Sequence, residues 1–207
     1  MVPLGPDCLL GYGYADTLSF ELSPNGQRVL VSAGIFKYDR GVEHQWEHDI
    51  LMYHAVVVHG AGLSEVWGNT RGARLLRPFG VRTSCDAESG RLEEQHDCYI
   101  HLPGRVVHHR QWSPREFDLM TSETMSRRIV HAKGGCQFKP GIDLSIRGRN
   151  AGGVTLGNGK MCWCMQSASA AYVEESSRHG CPGSSVRCRL LVNPIDGSPL
   201  QLSFRWY

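Results

Sequence analysis

The chain holds 207 residues, with 22 Lys or Arg against 20 Asp or Glu, a net charge of +2 when its 10 histidines are neutral. So even a balance gives no basic patch for nucleic acid or an acidic membrane surface, and no apolar run approaches the ~20 residues that a membrane helix needs. At this length one core buries roughly 70% of the unfolded surface without staples, and residues 1–207 are read as a single domain.

Gly5 to Leu22 reads GPDCLLGYGYADTLSFEL. Leu18, Phe20 and Leu22 alternate with Thr17, Ser19 and Glu21, the period of a strand with one face in a core and the other in water. Ahead of it, Tyr12, Tyr14 and Asp16 are spaced two apart, so an extended backbone projects all three to one side. Gly11 and Gly13 leave the opposite side open to a close neighbour. A polar face beside such an opening marks a candidate site. Ser23-Pro24-Asn25-Gly26 is reverse-turn chemistry leading into Gln27–Ala33, so a hairpin is expected, with Val29 and Val31 on one face and Leu30 and Ser32 on the other. Residues 41–52 lack alternation and read as a loop with a helical turn. Tyr53–Val58 is a β-branched strand closed by His59-Gly60-Ala61-Gly62.

From Ser64 to Phe79 aromatic, Gly and Arg residues mix, which reads as a winding connection with Glu65, Trp67 and Arg71 held by contacts elsewhere. Strand-like runs follow at Val81–Cys85, Cys98–Leu102, Val106–Trp112, Glu116–Met120, Arg128–Ala132, Cys136–Lys139 and Asp143–Ile146. Gly157-Asn158-Gly159, between Val154–Leu156 and Met161–Met165, is the strongest hairpin signal in the chain. Arg187–Val192 and Leu200–Trp206 close the sequence, the latter with Leu200, Leu202, Phe204 and Trp206 as an inward face. Many short strands with Gly, Pro and Asn turns and no long amphipathic helix predict an all-β fold, an antiparallel two-sheet β-sandwich.

None of the 8 cysteines falls into a CxxC pair or zinc-ribbon spacing. Cys162 and Cys164 flank Trp163 on one strand face and read as small apolar packing residues. The even count permits disulfides of unreadable connectivity. Asp86, Glu88, Glu93 and Glu94 read as a solvated acidic turn without the donor spacing of a calcium loop. There is no GxSxG elbow, P-loop, GxGxxG fingerprint or HExxH. The N-terminal residues hold two prolines and no basic n-region, so no signal peptide is read.

GPDCLLGYGYADTLSFELS resembles the opening of the C-terminal domain of heparinase II/III-type polysaccharide lyases, whose pattern there is close to GPDYLPGHAHADTLSFELS. The likeness continues through GQRVLVSAG, through YHAVVVHG against AHNTVVVDG, and through SEVWGNTRGARLLRPFG against SEVWGSFRVGRRARPFG. Weaker echoes, GCQFKPGIDL and VTLGNGK, follow in the expected order, so the resemblance covers nearly the whole chain. It implies a β-sandwich, agreeing with the strand pattern, and a periplasmic or secreted setting.

The resemblance also implies chemistry. Such lyases cleave acidic polysaccharides by β-elimination, which needs a neutralised uronate carboxylate and a Tyr or His that shuttles a proton. The family's catalytic histidine position is Tyr12 here, and its three metal positions, commonly holding zinc, are Tyr14, Ser32 and His54. Of these only His54 is a good zinc ligand, so the metal site is expected to be degraded and no cofactor to be held. His54 otherwise reads as a strand histidine satisfied by a backbone carbonyl, and His44, His48 and His59 as solvated loop residues. Tyr12 serves as acid or base if neighbouring positive charge lowers its pKa, or else pairs with Tyr14 as an aromatic cover of the sheet edge. Asp16 matches the motif in an orienting role, and Ala55 replaces a polar family residue.

In the family, a helical toroid domain forms the opposite wall of the substrate cleft, and Met1–Asp7 cannot hold one. The expected partners are therefore an acidic polysaccharide and a toroid domain docking near Trp46 and Trp67. Trp67 and Arg71 are the substrate-binding candidates, and the chain is expected to be inactive alone. The alternative is a non-catalytic carbohydrate-binding or structural module, with Trp67, Trp112 and Tyr99 as candidate sugar platforms.

Overall fold

The computed structural model describes residues 18–32, 51, 54–60, 78–126, 131–166, 169–178, 185–195 and 199–207, and the backbone alone of 65–66 and 72–73. Among these lie fourteen strands: β1 (Val56–Val58), β2 (Glu65–Val66), β3 (Gly72–Ala73), β4 (Pro78–Cys85), β5 (Gly90–Tyr99), β6 (Val106–Pro114), β7 (Asp118–Met125), β8 (Ala132–Phe138), β9 (Leu144–Arg147), β10 (Ala151–Leu156), β11 (Gly159–Gln166), β12 (Tyr172–Arg178), β13 (Val186–Ile195) and β14 (Leu200–Trp206). Eight strands form one sheet in the order β4-β5-β6-β7-β14-β11-β10-β9, four form a second in the order β1-β8-β13-β12, and β2 pairs with β3. The fold is the antiparallel two-sheet sandwich that the strand pattern predicts.

One core cluster joins the inner faces. Tyr99, Trp112, Trp163 and Phe204 come from the larger sheet, and Val56, Phe138, Leu191 and Ile195 from the smaller. An aromatic ring that buries 150–250 Å² contributes roughly 4–6 kcal/mol of gross burial free energy at ~25 cal/mol/Å², so these rings dominate the adhesion of the layers. β14 follows its predicted alternation, with Leu200, Leu202, Phe204 and Trp206 buried and Ser203 and Arg205 exposed. Trp163 packs so closely over Gly152 that an added Cβ there would lie 2.5 Å from the indole nitrogen.

The structure corrects several expectations. Val29, Leu30 and Val31 are all buried, so both faces of this short stretch are covered, since it pairs with both Leu22 and Phe138. The expected N-terminal hairpin exists, turning at Pro24–Gly26 with Asn25 at φ 50°, but its pairing is a single bridge, not a ladder. Glu93 and Glu94 belong to β5 and not to an acidic turn, and Ile100 to Gly104 turn where Cys98–Leu102 was expected to be extended. Cys162 and Cys164 are exposed on the outer face while Trp163 points inward, since adjacent strand residues face opposite ways. Trp112 and Tyr99 are 4% and 0% exposed core residues and cannot serve as sugar platforms. β12 was missed because YVEESSR has little apolar alternation. The six described cysteines, Cys85, Cys98, Cys136, Cys162, Cys164 and Cys188, are free thiols.

Candidate active site

His54 sits where two short segments share one side of β8. β1 pairs with the first half of that strand, from Ala132 to Gly134, and the Ala55 carbonyl accepts the Gly135 N–H. Beyond it, Val31 donates to the Gln137 carbonyl and Val29 accepts from Lys139. An antiparallel pair would normally exchange a second bond at Val31 and Gln137. Instead the Gln137 N–H donates to Nδ1 of His54 at 3.0 Å. The turn ahead of β1, with His54 at φ 60°, swings the ring into this gap. His54 is thus a turn residue satisfied by a backbone N–H, not the carbonyl-satisfied strand histidine of the sequence reading.

Because Nδ1 accepts, the neutral ring carries its proton on Nε2. That atom is buried without a hydrogen bond of normal geometry, although the Val31 carbonyl lies near enough to favour a protonated ring. Burial, reinforced by the Arg110 charge, outweighs this and pushes the His54 pKa down to about 4. Ser32, the second described residue of the expected metal set, instead donates its N–H to Glu21 Oε1 at 3.2 Å, and Arg28 pairs with the same carboxylate at 2.7 Å. Burial raises the Glu21 pKa, but the Ser32 N–H and the Arg28 guanidinium overcome it and hold the group below its ordinary value.

As placed, the two described members of this set do not suit zinc. One imidazole nitrogen of His54 is occupied by an amide proton and the other bears the ring proton, while a serine hydroxyl is a weak ligand that here faces a carboxylate already paired with arginine. Among the described residues no group of three or more His, Cys, Asp or Glu is placed to hold a metal. Tyr12, Tyr14, Asp16, His44, Trp46, His48, Trp67 and Arg71 lie outside the described residues. His59 is exposed and packs edge-on to His131.

A buried polar column that sequence reasoning missed runs beside His54, on the inner faces of β5, β6 and β7. Glu123 accepts from Arg110 Nε at 2.5 Å and from His108 Nε2 at 2.6 Å. With Nε2 donating, neutral His108 accepts on Nδ1 from His96 Nε2 at 2.8 Å. His96 in turn accepts on Nδ1 from the Cys98 thiol, also at 2.8 Å. Every donor in this directed chain meets an acceptor with both imidazoles neutral, and burial, the first cause for each, lowers both histidine pKa values. Burial raises the Glu123 pKa, but Arg110 and His108 pull it below its ordinary value. Burial also pushes Glu94 up, against the Arg110 charge, and its Oε1 has no hydrogen-bond partner.

Arg110 ties this column to the site. Its Nη1 donates to the Leu18 carbonyl and, at 2.5 Å, to the His54 carbonyl, while its guanidinium carbon lies 5.7 Å from the ring centroids of both Phe20 and Trp112. One side chain therefore holds the segment that follows the tyrosine-rich stretch against the turn bearing His54. The only sequence signal for the column is its polar period of two, Glu94-His96-Cys98 and His108-Arg110.

The chain is thus a two-sheet antiparallel sandwich that holds the segment beginning at Leu18 against a histidine turn. Residues 1–189 match the family described as heparinase II/III-like, C-terminal, and the chain belongs to that family. Among solved structures it is similar to the heparan sulfate lyase HepC from Pedobacter heparinus, at a TM-score of 0.76 and 12% identity, covering 95% of this chain and 31% of that one. It is likewise similar to the heparinase III BT4657 gene product, at a TM-score of 0.72 and 11% identity over 94% of this chain and 30% of that one. A third structure, titled heparinase III, aligns at a TM-score of 0.66 and 9% identity over 96% of this chain and 30% of that one. The chain spans about a third of the length of these structures, and at such identities the likeness is one of fold. No curated protein sequence matches the chain significantly.

Proposed function

We propose that this chain is the β-sandwich half of an enzyme that cleaves an acidic, uronate-containing polysaccharide by β-elimination, working with a helical toroid domain and without a family-type zinc ion. The observation that carries the reading is the Arg110 clamp on the Leu18 and His54 carbonyls. It brings together, in a sandwich of the lyase family, the two segments in which the resemblance locates the site.

Tyr12, six positions before Leu18, is the acid and base of this reading. A base takes the proton α to the uronate carboxylate, the electron pair becomes a ring double bond, the glycosidic C–O bond breaks, and an acid protonates the leaving oxygen without consuming water. Arg71 pairs with the substrate carboxylate and Trp67 packs on a sugar ring. His54 positions: it closes β8 and offers its own carbonyl to Arg110. The His54 tautomer and the Ser32–Glu21 contact support the metal-free part of the proposal.

The test follows ultraviolet absorbance of unsaturated uronate on several acidic polysaccharides. The chain alone is expected to give none, and a protein carrying it with a toroid domain a steady rise that Tyr12→Phe reduces at least 100-fold. Turnover by the chain alone overturns the need for the toroid, and full activity of the Tyr12→Phe protein overturns the role of Tyr12.

A further inference from the structure

The outer face of the eight-stranded sheet, turned away from His54, carries a concavity of about 460 Å³ across β6, β7, β14 and β11. That volume lies within the ~300–1,000 Å³ of small-molecule sites. Two rungs make its floor: Met120, Ser203 and Cys164 pair across three strands in one, and Asp118, Arg205 and Cys162 in the next. Arg115 lines the same hollow. Asp118 stands directly across from Arg205, a distance at which opposite charges readily pair, yet neither Arg205 nor Arg115 takes part in any of the ion pairs among the described residues. Two exposed guanidiniums are left facing a hollow with hydroxyl and thiol groups between them.

The rim adds the apolar part. Tyr207 is 65% exposed, and its phenol is held by the Cys162 sulfur at 3.6 Å. Tyr207 and Lys160 exchange both backbone hydrogen bonds, so a third cation stands beside the ring on the same face. The far end is closed to anions by Asp86, Glu88 and Glu116, which line the adjoining hollow. A floor with two guanidiniums to one carboxylate, an exposed flat ring and an acidic stop suit a ligand that is anionic and has an apolar ring face.

We infer that this face is a second binding site for an acidic oligosaccharide, with Arg115 and Arg205 pairing with carboxylate or sulfate groups and Tyr207 stacking on a sugar ring. Arginine suits the role because its planar fork binds such groups bidentately. The inference rests on the reading of an acidic polysaccharide as the substrate, and it adds a hold on the polymer on the opposite face of β6 from Arg110.

Calorimetry and amide NMR of the chain with hexasaccharides of heparan sulfate and of a polyuronate, and with a neutral glucan hexasaccharide, test it. The expected result is binding of an acidic probe and not the neutral one, with shifts confined to β6, β7, β11, β14 and the turn carrying Arg115. Affinity should fall about tenfold or more in Arg115→Ala/Arg205→Ala and in Tyr207→Ala, and hold in Arg189→Ala, a change at an exposed arginine of the other sheet. All are surface positions, and unchanged melting confirms the fold. Absence of binding, equal loss in the Arg189→Ala protein, or shifts around His54 that ignore Arg205→Ala each overturn the inference. The first two leave the lyase reading to its absorbance test, and the third favours it.

Discussion

The imidazole of His54 takes the Gln137 N–H on Nδ1 at 3.0 Å, supplying to β8 the acceptor that a second strand would have offered at that position. The nitrogen that the resemblance would offer to a metal is thereby taken up by backbone hydrogen bonding.

Replacing His54 with alanine should therefore cost about 2–4 kcal/mol, the sum of a buried N–H left unpaired and a partly collapsed cavity. His54→Asn should recover part of the loss, because its side-chain oxygen reaches the place of Nδ1 and asparagine tolerates the φ of 60° better than most residues. Denaturant unfolding of the three proteins checks this, and an alanine variant as stable as wild type would contradict it.

Stability should fall as pH drops from about 6.5 to about 4. His54 has its pKa depressed to about 4 by burial and then by Arg110, so in that window the unfolded chain binds a proton that the folded one refuses. The stabilisation is complete above the ordinary histidine value and lost as pH falls through the folded one, up to roughly 3 kcal/mol from this residue. His96 and His108 are shifted the same way, again by burial first, and steepen the loss. Unfolding free energies at a series of pH values test the sign, and His54→Asn should flatten the curve.

The Arg110–Glu123 pair should show strong coupling. Glu123→Gln leaves a buried guanidinium without its carboxylate, and Arg110→Met leaves the carboxylate with only the neutral His108 ring, each at a cost of about 3–5 kcal/mol. The double replacement Arg110→Met/Glu123→Gln should cost clearly less than the sum. A double-mutant cycle measures the difference, and additivity would show that the two groups do not depend on each other.

Zinc should not stabilise the fold. A ligand bound only to the folded state raises stability by RT ln(1 + [L]/Kd), so a resident zinc site would reveal itself as a melting temperature that falls with chelator and rises with added zinc. With Nδ1 of His54 taken up by the Gln137 N–H neither shift is expected, and a rise of several degrees at equimolar zinc would count against the metal-free reading.

The strands with apolar inward faces were legible from the residues alone. β14 matches Leu200–Trp206 end to end, and the Gly157-Asn158-Gly159 turn joins β10 to β11, because alternation and turn chemistry are local properties. β5 was misplaced for the same reason. Its inward positions are Glu94, His96 and Cys98, polar or small, and a search for apolar alternation passes over a face made of hydrogen-bonding groups. Trp112 and Tyr99 stayed open between core and sugar platform because a large ring with a polar tip suits either, and only its neighbours decide which.

Turn chemistry, the two-residue period and the motif order were enough to determine an antiparallel sandwich of the lyase family, since each depends on residues close together along the chain. Which side chains meet was decided by strand register and layer packing. Cys98, His96, His108, Glu123 and Arg110 become one hydrogen-bonded column only when β5, β6 and β7 align, and His54 finds Gln137 only when two unrelated segments share β8. Nothing local in the chain encodes those meetings. They follow from burying the aromatic core between the layers, which leaves most of the enclosed polar groups a single arrangement in which they have partners.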